Sequence, residues 1–362
     1  MLDPELGWLP IIAKPLPPEY HWQYKDNPVK RWVRKHIHID LLENSLEPIV
    51  EEACRIIQQE KIQLLWLVLN SPSMILIASE VLKRTGLPST AIVWDPIDSI
   101  TEQQQVDPIS RRVLNEKFDA IVVRLRSCGV ASSGMQNYFK DKWPDLPTRV
   151  LINTPKSDGF DGTSPVRRSA SKITVTFAGS LYAQKELLGF FHALNELKWQ
   201  IDGRPVEFKV FSNSIYLPLD STGARTNFVF GGYLNESELR AELLSSHIAY
   251  LPYWFDAAYA DAVRRCFPAK LATYVASGCP VLFNGPKESS PTEFLSRFKV
   301  GCSVHTSSPR KIEEAIMRLV DEEFLQNYEA ERQRALDEEL GSAIFRERFH
   351  QLIDLCKVSS NF

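Results

Sequence analysis

Apolar positions along this chain alternate between helical spacing and short unbroken runs, which predicts helices and strands in turn. Residues from 28 to about 42 read as a helix. From 46 to 60, Ile49, Ala53, Ile56 and Ile57 recur at helical spacing, with Ser45 as a candidate cap. Residues 62–69 form a continuous apolar run, the pattern of a strand buried on both faces of a parallel sheet. A helix is predicted from Asn70-Ser71-Pro72 to about Thr85, broken by Gly86-Leu87-Pro88. The next strand covers 89–94 and leads into Asp95-Pro96-Ile97-Asp98. A helix over 108–116, a strand over 120–123, a helix over 128–140 and a strand over 149–152 follow. Residues 155–170 are rich in Ser, Gly, Asp and Pro and read as a linker.

The pattern then restarts. Strands are predicted over 173–178, 206–211, 228–230 and 248–251, with helices over 184–197 and 236–245, the latter capped by Asn235. The stretch from Cys266 to Phe283 reads as a loop, a short helix, a tight turn and a buried strand. Pro268 suits a first helical turn, and Gly278 suits the positive φ often needed just past a helix end. A helix from Pro309 to about Val320, capped by Ser308, precedes a mostly helical tail. The fold class is therefore α/β: two doubly wound parallel sheets in series, with a helical C-terminal tail. Ligands in such folds sit outside the carboxyl ends of the strands, so the expected site is the cleft between the two halves.

Composition narrows this reading. A length of 362 residues suggests two domains, and 44% hydrophobic with 24% charged residues is typical of a globular protein. The net charge of −3 argues against a general nucleic-acid binder. The basic clusters at Lys30-Arg31, Arg34-Lys35 and Arg167-Arg168 are short. Six scattered cysteines lack metal-ligand spacing and suit free thiols in a reducing compartment. No run reaches signal-peptide or membrane-spanning length, which points to the cytoplasm. Trp8, Trp22 and Trp32 beside the basic residues leave a peripheral membrane contact open, with ordinary packing the simpler reading.

Three loops carry candidate chemistry. The loop entering the helix at Pro268 has Lys270 in its first turn, which joins free N–H groups, a favourable dipole and a cation into an anion site. An ordinary crossover with a surface lysine would show the same local pattern. Gly179-Ser180, followed by Lys185, is a second such place. It matches neither a P-loop nor a dinucleotide fingerprint. Gly231-Gly232 serves either a tight turn or a close approach to a ligand. Asp95 and Asp98 lie at a strand end, where carboxylates serve catalysis or cap helices. The histidines are isolated: His36 and His38 would point apart on a helix, and His247 and His350 read as structural.

In order and spacing, three segments resemble the nucleotide-sugar-binding half of GT-B glycosyltransferases, most of all the retaining, glycogen-synthase-like group 1 class. They are residues 175–181 with Lys185, residues 228–234 leading into Glu238-Leu239, and Phe267-Pro268-Ala269-Lys270-Leu271 through Tyr274, Gly278 and Pro280-Val281. The resemblance covers about 170 to 320 well and the first half only in general character.

It implies two Rossmann-like domains: an acceptor-side domain over 1–160, a linker over 161–171, a nucleotide-sugar-binding domain over 172–340, and a helix over 341–362 packing back on the first domain. It implies transfer of a sugar from a UDP- or GDP-linked donor, with retention, no metal and no tightly bound cofactor. The acceptor is a saccharide, a lipid-linked sugar or a small molecule, and polysaccharide biosynthesis is the expected setting. The resemblance gives leaving-group roles to Lys185 and Lys270, and Asp95, or else Asp98, is the candidate catalytic carboxylate to orient the acceptor. Donor contacts fall to Gly179, Ser180, Gly231, Gly232, Arg265, Phe267, Pro268, Ala269, Leu271 and Thr273.

Two departures stand out. The family usually carries two glutamates eight positions apart, the second holding the donor ribose; here those positions are Arg265 and Thr273. The first half also lacks an obvious first strand with the family's Gly-rich loop. A catalytically degenerate relative that binds sugar nucleotides or acts as a scaffold is the alternative. A nucleotide-sugar epimerase of the same fold is a third reading, whose cleft acids and histidine cannot be placed.

Overall fold

The computed structural model describes residues 28–103, 106–153, 169–212 and 227–358, with side chains on the first helix described from Glu43 onward. The N-terminal stretch expected to be irregular, with Trp8 and Trp22, and most of the expected linker, with Arg167, lie outside the described residues, as do the side chains of Lys30, Arg31, Trp32, Arg34 and Lys35 on the first helix. Two compact units emerge. The first takes in described residues up to Gly129, Phe139–Arg149 and the chain from Gln351; the second takes in Val130–Tyr138 and Val150–His350.

The first unit is built on a four-stranded sheet in the order β1 (Leu65–Val68), β2 (Ser89–Val93), β3 (Ser127–Val130), β4 (Thr148–Val150). β1 and β2 are parallel, with Leu65 opposite Ser89. Ahead of them runs α1 (Pro28–Gln59), one helix where two were expected. Leu46, Val50, Ala53 and Ile57 form a buried stripe that carries it through Pro48, so Ser45 sits inside the helix. α2 (Pro72–Thr85) starts where the sequence predicts: Ser71 Oγ accepts from the Met74 N–H, and Gly86 ends it at φ 62°. α3 (Ile97–Gln103) is a short helix the periodicity does not announce.

The expected strand at 120–123 is wrong. These residues belong to the end of α4 (Pro108–Val122), where Leu114, Phe118, Ile121 and Val122 share one buried face. The strand is Ser127–Val130, whose Ser-Cys-Gly-Val composition hides its burial, and α5 starts later than expected, spanning Ser133–Lys142. Tertiary hydrogen bonds satisfy the polar residue in β3: Ser127 Oγ lies 2.9 Å from Thr90 Oγ1 and from the Leu352 carbonyl.

The second unit holds β5 (Ile173–Ala178), α6 (Gln184–Glu196), β6 (Gln200–Ile201), β7 (Arg204–Phe211), β8 (Phe228–Gly232), α7 (Glu236–Ser245) and β9 (Ile248–Pro252). α8 (Ala260–Arg265), α9 (Ala269–Ala276), β10 (Val281–Asn284), α10 (Ser290–Arg297), β11 (Gly301–Val304) and α11 (Pro309–Leu319) follow. α8, α10 and β11 were not anticipated. α12 (Glu322–Ala335) and α13 (Ser342–Val358) make the helical tail, joined by a π-helical turn.

The sheet runs β11-β10-β9-β5-β7, with β8 paired to β7 and β6 forming an antiparallel hairpin on β7. Counted within the unit, the parallel strands have the order 3-2-1-4-5-6 of a doubly wound nucleotide-binding fold. Strand alternation buries both faces. Val175, Phe177, Phe208 and Tyr250 pack with Phe190, Phe191, Ile312 and Ile316 of α6 and α11. Ala249, Leu251 and Phe283 pack on the opposite side with Leu271, Val275, Phe294 and Tyr328 of α9, α10 and α12. The order reverses between β5 and β9, so a crevice is expected beyond their carboxyl ends.

Candidate functional site

β5 delivers the chain to that crevice and Gly179 turns it. Gly179 has φ 95°, a conformation side chains disfavour, and its N–H donates to the Phe211 carbonyl at 2.8 Å. A Cβ there would lie 2.9 Å from Lys270 Cε. Lys270 reaches across from the first turn of α9, where its Nζ donates to the Ser180 carbonyl at 2.7 Å. The ammonium lies 4.2 Å from the centre of the Tyr182 ring. Burial pushes its pKa down to about 8. Two helices begin here, α6 after Ala183 and α9 after Pro268, and neither start is capped by a side chain. Pro268 occupies the cap position of α9 instead of its first turn. Two helix N-termini without side-chain caps and a half-buried lysine meet around one glycine loop, which gathers N–H donors and a cation beside the buried Glu186.

Side chains unnoticed in the sequence hold this arrangement. Tyr274, one turn below Lys270, is buried and pinned to the end of β5: the Ala178 N–H donates to its hydroxyl, which donates to the Ala178 carbonyl. Burial raises the pKa of this phenol, keeping the proton that the second bond needs. Arg332 of α12 donates to the Ala276 carbonyl at the far end of α9. Glu186 is buried in the first turn of α6, and its Oε1 accepts from the Phe255 N–H at 2.9 Å. Trp254 Nε1 donates to the Tyr182 carbonyl, fastening the segment after β9 to the Gly179 loop. Only long-range packing reveals these roles; locally, each residue reads as an ordinary core or surface position.

The remaining predicted residues fall in distinct places. Ser180 belongs to the loop through its carbonyl. Lys185 is largely exposed, 4.0 Å from Asp256. Gly231 packs its missing side chain against the Phe211 ring, and Gly232 has φ 71°. Because the Phe211 carbonyl accepts the Gly179 N–H, the glycine pair and the Gly179 loop share that residue. Phe267 packs edge-on against Phe294, Leu271 is core, and Ala269 is exposed. Thr273 Oγ1 donates to the Ala269 carbonyl of its own helix. Asp95 lies half-buried in a bend after β2, in the first unit, and Asp98 is exposed in the first turn of α3. No cluster of His, Cys, Asp and Glu suited to a metal occurs among the described residues, and no described helix is long and apolar enough to cross a membrane.

Arg265 closes α8. Its guanidinium stacks 3.9 Å from the Tyr138 ring centre, and Nη2 lies 3.3 Å from Asp261. Its carbonyl accepts from Ser132 Oγ at 2.6 Å, and the next carbonyl, of Cys266, accepts from Ser290 Oγ. Gly134 permits this approach, since a Cβ there would lie 2.2 Å from the Arg264 carbonyl oxygen. Gly134→Ala should therefore push α5 off α8 and cost about 1–3 kcal/mol, read by chemical denaturation. A change below about 0.5 kcal/mol, the range of an ordinary surface substitution, would mean the contact is not rigid.

No protein-family model and no curated protein matches this chain. Solved structures do. Sucrose-phosphate synthase from Thermosynechococcus elongatus superposes with a TM-score of 0.67 at 13% identity, over 88% of this chain and 80% of that one. A UDP-forming α,α-trehalose-phosphate synthase from Burkholderia vietnamiensis gives 0.58 at 13% identity, over 82% and 73%. HepE from Anabaena, solved with UDP and glucose, gives 0.59 at 12% identity, over 85% and 81%. The structures it resembles are thus GT-B glycosyltransferases. At these identities the likeness defines the fold, two α/β units with parallel strands and a C-terminal helix, in a divergent sequence.

Proposed function

We propose that this protein is a glycosyltransferase taking its sugar from a nucleotide-diphosphate donor, with retention of configuration and without a metal. The supporting observation is the convergence of Lys270 and two uncapped helix starts on the Gly179 loop, at the sheet's switch point. As the bond from the anomeric carbon to the diphosphate oxygen breaks, negative charge grows on the leaving group. Lys270 and the N–H groups of α6 and α9 are already oriented to receive it, and fixed donors of this kind are worth several kcal/mol. Lys185, exposed beside the same helix start, adds a mobile cation. Gly231-Gly232 would admit the base and Thr273 the ribose. Asp95, at a strand end of the first unit, would orient the acceptor hydroxyl. The UDP named in two of the similar structures supports a UDP-linked donor, with GDP the other candidate. The acceptor in this reading is a saccharide, and the setting the cytoplasm.

One observation favours a second reading. Thr273 turns its hydroxyl back onto its own helix, so a catalytically degenerate sugar-nucleotide-binding subunit fits too. Calorimetric titration with UDP and GDP, followed by a nucleotide-sugar hydrolysis panel with and without chelator, separates the readings. Binding with turnover that survives chelation is expected. Binding without turnover of any donor selects the degenerate sugar-nucleotide-binding protein, and no binding of either nucleotide overturns sugar transfer and selects a degenerate scaffold.

A further inference from the structure

We infer that Arg265 reads a carboxylate on the transferred sugar, so that the donor is a nucleotide-linked uronic acid. The inference rests on the sugar-transfer reading. If the diphosphate occupies the start of α9 beside Lys270, the sugar bonded to it must lie within one ring's width of that turn. Arg265 precedes Ala269 by four residues, at most about 14 Å of extended chain, and an arginine side chain covers much of that distance.

The guanidinium is held as a recognition group is held. Its central carbon lies over the Tyr138 ring, and the backbone beneath it is pinned by Ser132 and Ser290. Only 19% of the side chain is exposed. Against this burial, its one ion pair among the described residues is with Asp261, which is 68% exposed and lies 3.3 Å from Nη2. Nε and Nη1 have no acceptor among the described residues. A largely buried cation with an unfilled planar fork matches a carboxylate, which takes two parallel N–H bonds. Lys270, Lys185 and two helix starts already face the diphosphate in this reading, so a third cation, held over an aromatic ring, answers a further negative charge.

The test uses the full chain and commercial nucleotides. Affinities are measured for UDP and GDP, then for UDP-glucuronate and UDP-galacturonate against UDP-glucose and UDP-galactose, and for GDP-mannuronate against GDP-mannose. The expected result is a uronate bound about 10- to 100-fold more tightly than its neutral counterpart. Arg265→Gln should bring that ratio near one, and Arg265→Lys, which keeps the charge without the fork, should restore part of it. The ratio is the readout because loss of folding lowers both affinities together. A wild-type ratio near one, or a ratio unchanged in Arg265→Gln, overturns the inference. So does a parallel fall for UDP itself, which would place Arg265 on the diphosphate. If the wild type binds neither UDP nor GDP, the sugar-transfer reading fails first and takes this one with it.

Discussion

Lys270→Met is expected to lower sugar transfer by about 30- to 1,000-fold, the 2–4 kcal/mol typical of losing one oriented donor at a developing oxyanion, while making the folded protein more stable. The two effects share a cause. Burial depresses the Lys270 pKa from 10.5 to about 8, so the charged form is disfavoured in the folded chain. Below about pH 8 the ammonium is present in both folded and unfolded states, and its desolvation costs stability. Between about pH 8 and 10.5 the unfolded chain binds more protons than the folded one, so stability rises with pH across that window. Methionine removes the buried charge at every pH, which should raise the melting temperature at pH 7 and abolish the rise above pH 8. A diphosphate needs the charged form. Its affinity for the wild type should therefore be level below about pH 8 and fall above it, whereas the variant should lose this lysine-dependent fall. Calorimetry at pH 7, 8 and 9 with thermal melts checks both arms. Equal UDP affinity in wild type and variant would remove Lys270 from the site.

Gly179→Ala should damage both folding and binding. At φ 95° a side chain is strained by about 1–3 kcal/mol. The new Cβ would also stand 2.9 Å from Lys270 Cε, forcing the lysine away from the Ser180 carbonyl. Gly86→Ala is the control. It also has positive φ, at 62°, but nothing lies within 4 Å of its added Cβ. It should cost about 1–2 kcal/mol of stability and leave nucleotide affinity alone. If Gly179→Ala and Gly86→Ala behave alike in UDP titrations, the Gly179 loop does not shape the site.

The same contrast separates what could be read along the chain from what could not. α2 and α7 are legible because their signals are local. Ser71 and Gly86 bound α2, and Asn235 with Glu238 forms a complete capping box on α7. β5, β7, β8, β9 and β10 are legible as apolar runs between turn residues, and their succession with helices was enough to expect two doubly wound sheets, whereas the two-residue β6 was not anticipated. The exchange at 120–130 shows the limit. An apolar helix end and a polar buried strand look reversed in sequence, because β3 is buried by neighbours that also satisfy its serine.

At the site, Gly179 and Lys270 could each be singled out by residue type and position, as glycine before a helix and lysine in a first turn. Their meeting could not, because 90 residues separate Lys270 from Ser180 and only the parallel pairing of β5 with β9, and of β9 with β10, brings them together. Glu186 on Phe255, Tyr274 on Ala178 and Tyr138 under Arg265 are of the same kind. Caps, turns and periods are set by bonds within a few residues, so the sequence alone determines the elements that carry those local signals, and their order. The depressed pKa of Lys270 and the seat of Arg265 over the Tyr138 ring come from burial and packing by distant segments, and only the tertiary structure decides those.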